Sequence, residues 1–254
     1  MIKFFRRIRQ QLLSEGNTTK YLKYAIGEII LVVIGILIAL QINNWNENRK
    51  ATIKQIEILS MLEESLIDDL DKFEEVANYY ARSKMSINTI LNHLQKDLPL
   101  NDSLPSHFFK STTIWEQSSF TNGIYETLKS NGIDLISNKK LSQQIVKVFD
   151  ETDPWMETWE KRYVDLVLNS ATELYKTRFT DFWNGNPKDP KVNGEMHPIS
   201  YESLKSDEEY IYFLKTQKNL MGWLIEKSLN NSATQGETLL EMLRKEMSSL
   251  KKSI

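Results

Sequence analysis

Two hydrophobic patterns divide this chain. From Tyr24 to Ile42 the sequence reads YAIGEIILVVIGILIALQI, an apolar run interrupted by one charge, Glu28. From Ile56 the apolar residues recur instead in alternating steps of three and four: Ile56, Leu59, Glu63, Leu66, Leu70, Phe73, Ala77, Tyr80, Lys84, Ile87, Leu91 and Leu94. Ten of those twelve positions are apolar, so the spacing predicts a long helix over residues 44–98. Such a seam suits either a helix packed in a bundle or a coiled coil. Pro99 and Pro105 end it in a loop.

The first run reads as a transmembrane signal anchor over residues 24–43. Its 19 residues from Tyr24 to Ile42 make a helix about 28 Å long, close to the hydrocarbon thickness of a bilayer. Twelve large aliphatic side chains favour insertion by about 4–7 kcal/mol, against at most about 3 kcal/mol for one acidic residue at the centre. The exit Ala39-Leu40-Gln41-Ile42-Asn43 holds no small-x-small cleavage site, so the anchor is expected to stay uncleaved. Lys3, Arg6, Arg7, Arg9, Lys20 and Lys23 precede it, and only Arg49, Lys50 and Lys54 follow closely. That bias predicts residues 1–23 as a basic cytoplasmic tail at a bacterial inner membrane, with the C-terminal domain in the periplasm. Tyr21 and Tyr24 at the near end, and Trp45 at the far end, suit the membrane–water interfaces.

Further start and stop signals fill residues 99–254. Thr121 precedes a short helix that Asn131-Gly132 closes. Leu141, Ile145, Val148 and Phe149 mark the next. Asp153-Pro154 reads as a cap with proline at the first position of a helix reaching about Phe182. Ser206 with Glu209, and Ser232 with Gln235, read as capping boxes for two last helices. No segment alternates as a strand. The expected fold is all-α: one N-terminal transmembrane helix, a long amphipathic helix, and a helical bundle over 99–254 packed with 44–98.

Composition narrows the chemistry. Residues 1–45 hold six basic and two acidic side chains, which leaves 26 basic against 32 acidic for the remainder. A mildly acidic domain is no nucleic-acid binder. The chain has no cysteine, so disulfides, thiolate metal sites and thiol catalysis are excluded together. His93, His107 and His197 stand in no metal-ligand spacing. The run Glu63, Glu64, Asp68, Asp69, Asp71, Glu74 and Glu75 lies mostly off the apolar seam and reads as a solvated helix face. There is no phosphate-binding glycine loop and no nucleophile elbow. Neither an enzyme, a cofactor nor a metal is expected.

Two features rise above that background. The loop Asn184–Ser200 is long and follows Phe179, Phe182 and Trp183. Trp155 and Trp159, one helical turn apart, are candidates to line a groove there with Trp183 and His197, although core packing under a surface loop is the better explanation of such aromatics. The second feature is Glu28 inside the span. At 100° per residue, Gly27, Glu28, Gly35 and Ala39 share an arc of about 120°, and Gly35-x-x-x-Ala39 is a small-xxx-small pattern for helix association. Glu28 either belongs to that face or snorkels toward the cytoplasmic headgroups near Lys23.

MIKFFRRIRQQLLSEG with KYLKYAIGEIILVVIGILIALQINNWNENRK, and FTNGIYETLKSNGIDLISNKKLSQQIVKVFD over residues 120–150, resemble an uncharacterised membrane-protein family of Bacteroidota, domain of unknown function 6090. The resemblance implies a single-pass inner-membrane protein with a periplasmic helical domain, and it supplies no activity. It places Gly27-Glu28, Asn43-Asn44-Trp45 and Tyr125-Glu126-Thr127-Leu128 in a family pattern. The leading expectation is a membrane-anchored scaffold or interaction protein, self-associating or bound to an envelope partner. The alternatives are an accessory subunit of an ion-coupled complex using Glu28, and a periplasmic ligand-sensing module acting through a partner.

Overall fold

The computed structural model describes residues 18–112, 118–186, 188 and 192–253, with side chains from Leu22 onward except that of Tyr24. The side chains of Tyr21 and Tyr24, and most of the basic tail, therefore lie outside what is described. Helix α1, Thr18–Gln95, is continuous, so no break separates the segments expected at 24–43 and 44–98. The chain divides into two compact units between Gln55 and Ile56.

In the first unit, every large aliphatic residue from Ile26 to Ile42 is exposed, by 47–63 %. No other part of the described chain presents such a surface; in water it would be strongly unfavourable, because burial of apolar area is the main favourable force in folding.

The second unit, Ile56–Ser253, is a helical bundle. Leu59, Leu66, Phe73, Tyr80, Ile87, Leu91 and Leu94 of the expected seam are buried, which places this part of α1 in a shared core. Ala77 is exposed. The seam's two charged members form cross-helix ion pairs, Glu63 with Arg244 at 2.6 Å and Lys84 with Glu226 at 2.7 Å. These pairs set α1 antiparallel to α8, Lys227–Lys251. Gly236 of α8 sits where the two meet: a Cβ there would stand 3.0 Å from Leu70 and 3.2 Å from Phe120.

Between α1 and α8 come α2 (Leu104–Ser111), α3 (Gly123–Asn131), α4 (Lys139–Val146), α5 (Asp153–Glu173), α6 (Tyr201–Lys205) and α7 (Glu208–Leu220). Gly132, at φ 96°, closes α3 as its position after Asn131 predicts. Two π turns join helices end to end. Lys147–Thr152 links α4 to α5, and Met221–Glu226 links α7 to α8. The all-α expectation holds, with one small exception: Asn184–Gly185 (β1) pairs antiparallel with Gly194–Glu195 (β2).

Several expected boundaries are corrected. Asp153-Pro154 does stand in the first turn of α5, but Asp153 caps no free helix end, because the π turn Lys147–Thr152 runs straight into it. A π turn already breaks the usual ladder, which accommodates the N–H that proline lacks. Helix α5 ends at Glu173 rather than near Phe182 and is followed by a 3-10 turn, Tyr175–Thr177. The cap of α7 is Asp207, whose carboxylate accepts from Tyr210 N at 2.9 Å, and Ser206 instead ends α6. Burial opposes the charge on Asp207, but two hydrogen bonds from Arg178 outweigh it and hold the carboxyl below its ordinary range. Ser232 is buried inside α8, so no helix starts there.

Candidate functional site

Gly27, Gly35 and Ala39 are exposed, and Glu28 is half-buried. An added Cβ at Gly27 or Gly35 would meet nothing within 4 Å. At these two glycines the helix therefore leaves room for another helix to approach. Trp45 is 64 % exposed.

The aromatic candidates separate. Trp155 and Trp159 stack edge to face at 5.2 Å near the start of α5, with the Arg162 guanidinium 4.5 Å above the Trp159 ring. The loop aromatics follow the other end of α5, about 27 Å away along the helix at 1.5 Å per residue. Trp183 donates from its indole N–H to the Thr112 carbonyl and hydroxyl, at 3.2 and 3.0 Å, and tilts against Phe109 at 5.8 Å. The His197 ring is exposed and meets Glu195 at 3.2 Å, while its carbonyl accepts from Thr180 N at 3.0 Å. The described part of the 184–200 loop is docked: Met196 is buried and its N–H reaches the Pro105 carbonyl, while a Cβ on Gly194 would stand 2.5 Å from the Phe109 ring. Residues 187 and 189–191 lie outside the described residues. These positions thus sit in separate places: two on an α5 face, two under or beside a packed hairpin.

A constellation that the sequence reading passed over lies around residues 118–122. Three buried carboxylates grip this non-helical backbone. Glu160 accepts from Ser118 N at 2.8 Å, Asp153 from Phe120 N at 2.8 Å, and Asp69 from Thr121 N at 2.7 Å and from its hydroxyl at 2.7 Å. Asp153 and Glu160 come from α5 and Asp69 from α1, so the segment ties the two helices together. Burial pushes the Glu160 carboxyl up to about 7, against hydrogen bonding from Ser118. Burial also raises Asp153. Asp69, read as part of a solvated face, is 1 % exposed, whereas Glu64, Asp68, Asp71, Glu74 and Glu75 stay at least partly open to solvent. A signal existed in the spacing. Asp69 falls on the line Leu62, Leu66, Phe73, Val76, and Glu160 on the line Met156, Tyr163, Val167. An acid on an apolar line needs backbone donors. The role of the three is structural, and no group of three metal-ligating side chains occurs among the described residues.

A second missed feature is on the outside of α7 and its π turn. Tyr212 and Trp223 are 72 % and 70 % exposed, although most aromatic residues of this unit are buried. Tyr212, Lys215, Asn219, Trp223 and Lys227 follow one another in steps of three and four, and all five are exposed. Trp223 borders an open groove of about 430 Å³ with Lys84, Lys218, Asn219, Gly222 and Lys227. The Lys227 ammonium lies 5.6 Å over the Trp223 ring.

These features describe an all-α protein with, among the described residues, one helix long and apolar enough to cross a membrane. The chain belongs to the family of unknown function DUF6090, whose pattern matches residues 28–181. No curated protein and no solved structure matches the chain.

Proposed function

We propose that this chain is a membrane-anchored interaction protein. The apolar stretch of α1 holds it in the inner membrane with its N-terminus in the cytoplasm, and the helical unit in the periplasm docks a protein partner. The observation that carries the reading is the exposed Tyr212–Trp223 stripe. Tryptophan and tyrosine dominate interface energetics, and these two are the most exposed of the described aromatics in a unit that buries most of its others. The polar groups that resemble chemistry, Asp69, Asp153 and Glu160, are occupied with holding backbone, which favours docking over catalysis.

The test is mild crosslinking in native membranes, purification through a C-terminal tag and mass spectrometry. Wild type is run beside Trp223→Ala with Tyr212→Ala, and beside Glu28→Gln. A defined protein recovered with wild type and Glu28→Gln, and lost with the double variant, supports docking through the outer unit. Loss with Glu28→Gln instead moves the contact to the span face and favours the ion-coupled accessory role. A chain that captures no protein sinks the docking role.

A further inference from the structure

We propose that the Trp223 groove receives an acidic segment of a partner protein, with tryptophan as the apolar anchor and the surrounding lysines as counter-charges. The inference rests on the docking role above and names the chemistry of its partner. Charge carries it. Lys84, Lys218 and Lys227 line the groove, and Lys215 stands on the same stripe. The acid that meets them is Glu226, which Lys84 engages through both carboxylate oxygens at 2.7 and 2.9 Å. Lys218 reaches only the neutral Asn88 amide, at 3.2 Å, and Lys227 only the Trp223 ring face. The groove therefore keeps a positive excess in a unit whose composition is acidic overall. An indole flanked by partly solvated ammonium groups is a poor seat for an apolar helix and a good one for a chain that alternates carboxylates with an apolar contact. Gly222 lines the groove beside Trp223, and a Cβ added there would stand 3.7 Å from Glu226 Oε2.

A second copy of this chain is the less suitable occupant. Its exposed acidic stripe, centred near Asp68, lies about 24 Å along α1 from Lys84 at 1.5 Å per residue. Two copies carrying the same anchor would need that displacement to pair the stripe with the groove.

The experiment places photoreactive p-benzoylphenylalanine at Asn219, at Trp155 or at Leu168 of the full chain, and irradiates native membranes. Mapping of the captured peptide is followed by affinity measurement with that purified partner. The expected result is capture at Asn219 of a segment rich in Asp and Glu. Its affinity should fall about tenfold or more with Lys218→Glu plus Lys227→Glu, and fall as salt rises. Lys139→Glu plus Lys140→Glu, at the start of α4, should leave it unchanged. Helical circular dichroism confirms that each variant is folded. Capture of a neutral or basic segment, a lipid, a glycan or a second copy overturns the inference, as does affinity indifferent to the charge reversal. Protein capture at Trp155 or Leu168 but not at Asn219 overturns it and leaves the docking role standing. Protein capture at none of the three overturns both.

Discussion

Replacement of Glu160 by glutamine should stabilise the protein at pH 8 and leave it nearly unchanged near pH 4.5. Glu160 is 2 % exposed, and burial lifts its carboxyl from 4.5 to about 7. One pKa unit corresponds to about 1.4 kcal/mol, so the charged side chain costs the folded state about 3 kcal/mol at high pH. The sign follows from proton uptake. Between about pH 4.5 and 7 the folded protein holds a proton on Glu160 that the unfolded chain has released, so stability falls as pH rises through that window. Below it both states are protonated, and the full contribution is present. The substituted amide keeps an oxygen to accept from Ser118 N and directs its NH2 group where Glu160 Oε1 has no partner; the Ser118 hydroxyl is likewise unsatisfied. The assay is urea unfolding of the full chain in detergent, followed by near-ultraviolet circular dichroism at intervals from about pH 4.5 to 8.5, the span that brackets both ends of the shift. The difference between wild type and Glu160→Gln reads this carboxyl together with its coupling to Asp153, whose charge also raises it. A variant less stable than wild type at pH 8, or two curves that run parallel, would refute the reasoning.

Three further outcomes are open to the same unfolding assay. Asp69→Ala removes two partly buried hydrogen bonds from Thr121 to a buried carboxylate and should cost about 2–4 kcal/mol, whereas Asp68→Ala on the solvated face should stay within about 0.5 kcal/mol. Gly236→Ala gains helix propensity of about 1 kcal/mol but drives a methyl toward Leu70 and Phe120, so a net loss of about 1–2 kcal/mol is expected; a stabilised variant would show that the contact yields. Tyr210→Phe deletes a buried hydroxyl that has no hydrogen-bond partner, so it should be neutral or stabilising, and a loss above about 1 kcal/mol would reveal a bridging water.

The parts of this fold that could be read from the sequence are those set by periodicity. The seam from Leu59 to Leu94 was legible because a buried helix face must be apolar every three or four residues. Even its exceptions were informative, since Glu63 and Lys84 turn out to be the residues that form ion pairs across to Arg244 and Glu226. The apolar span was legible because a membrane tolerates few other compositions. Local capping motifs misled. Ser206 with Glu209 has the spacing of a capping box, but Asp207 takes the cap and Glu209 turns to Arg178. Ser232 with Gln235 has the same spacing inside an unbroken helix. A motif of four residues cannot register that a π turn joins two helices, because that joint is stabilised by packing against α5 and α8. The carboxylate grip on 118–122 failed to stand out for a related reason: its three acids are distant in sequence, and only their positions on apolar lines betray burial. The Tyr212–Trp223 stripe was hidden because aromatic residues at helical spacing usually mean core.

The central claim, an anchored chain that displays its helical unit beyond the membrane, is tested most directly by topology. The absence of native cysteine makes the measurement clean. A single Ser249→Cys near the end of α8 would be probed with a membrane-impermeant maleimide in intact spheroplasts, and membrane pellets would be extracted with alkaline carbonate. The account predicts labelling without lysis and a chain that stays in the pellet. A thiol that reacts only after lysis, or a chain released by carbonate, would contradict it.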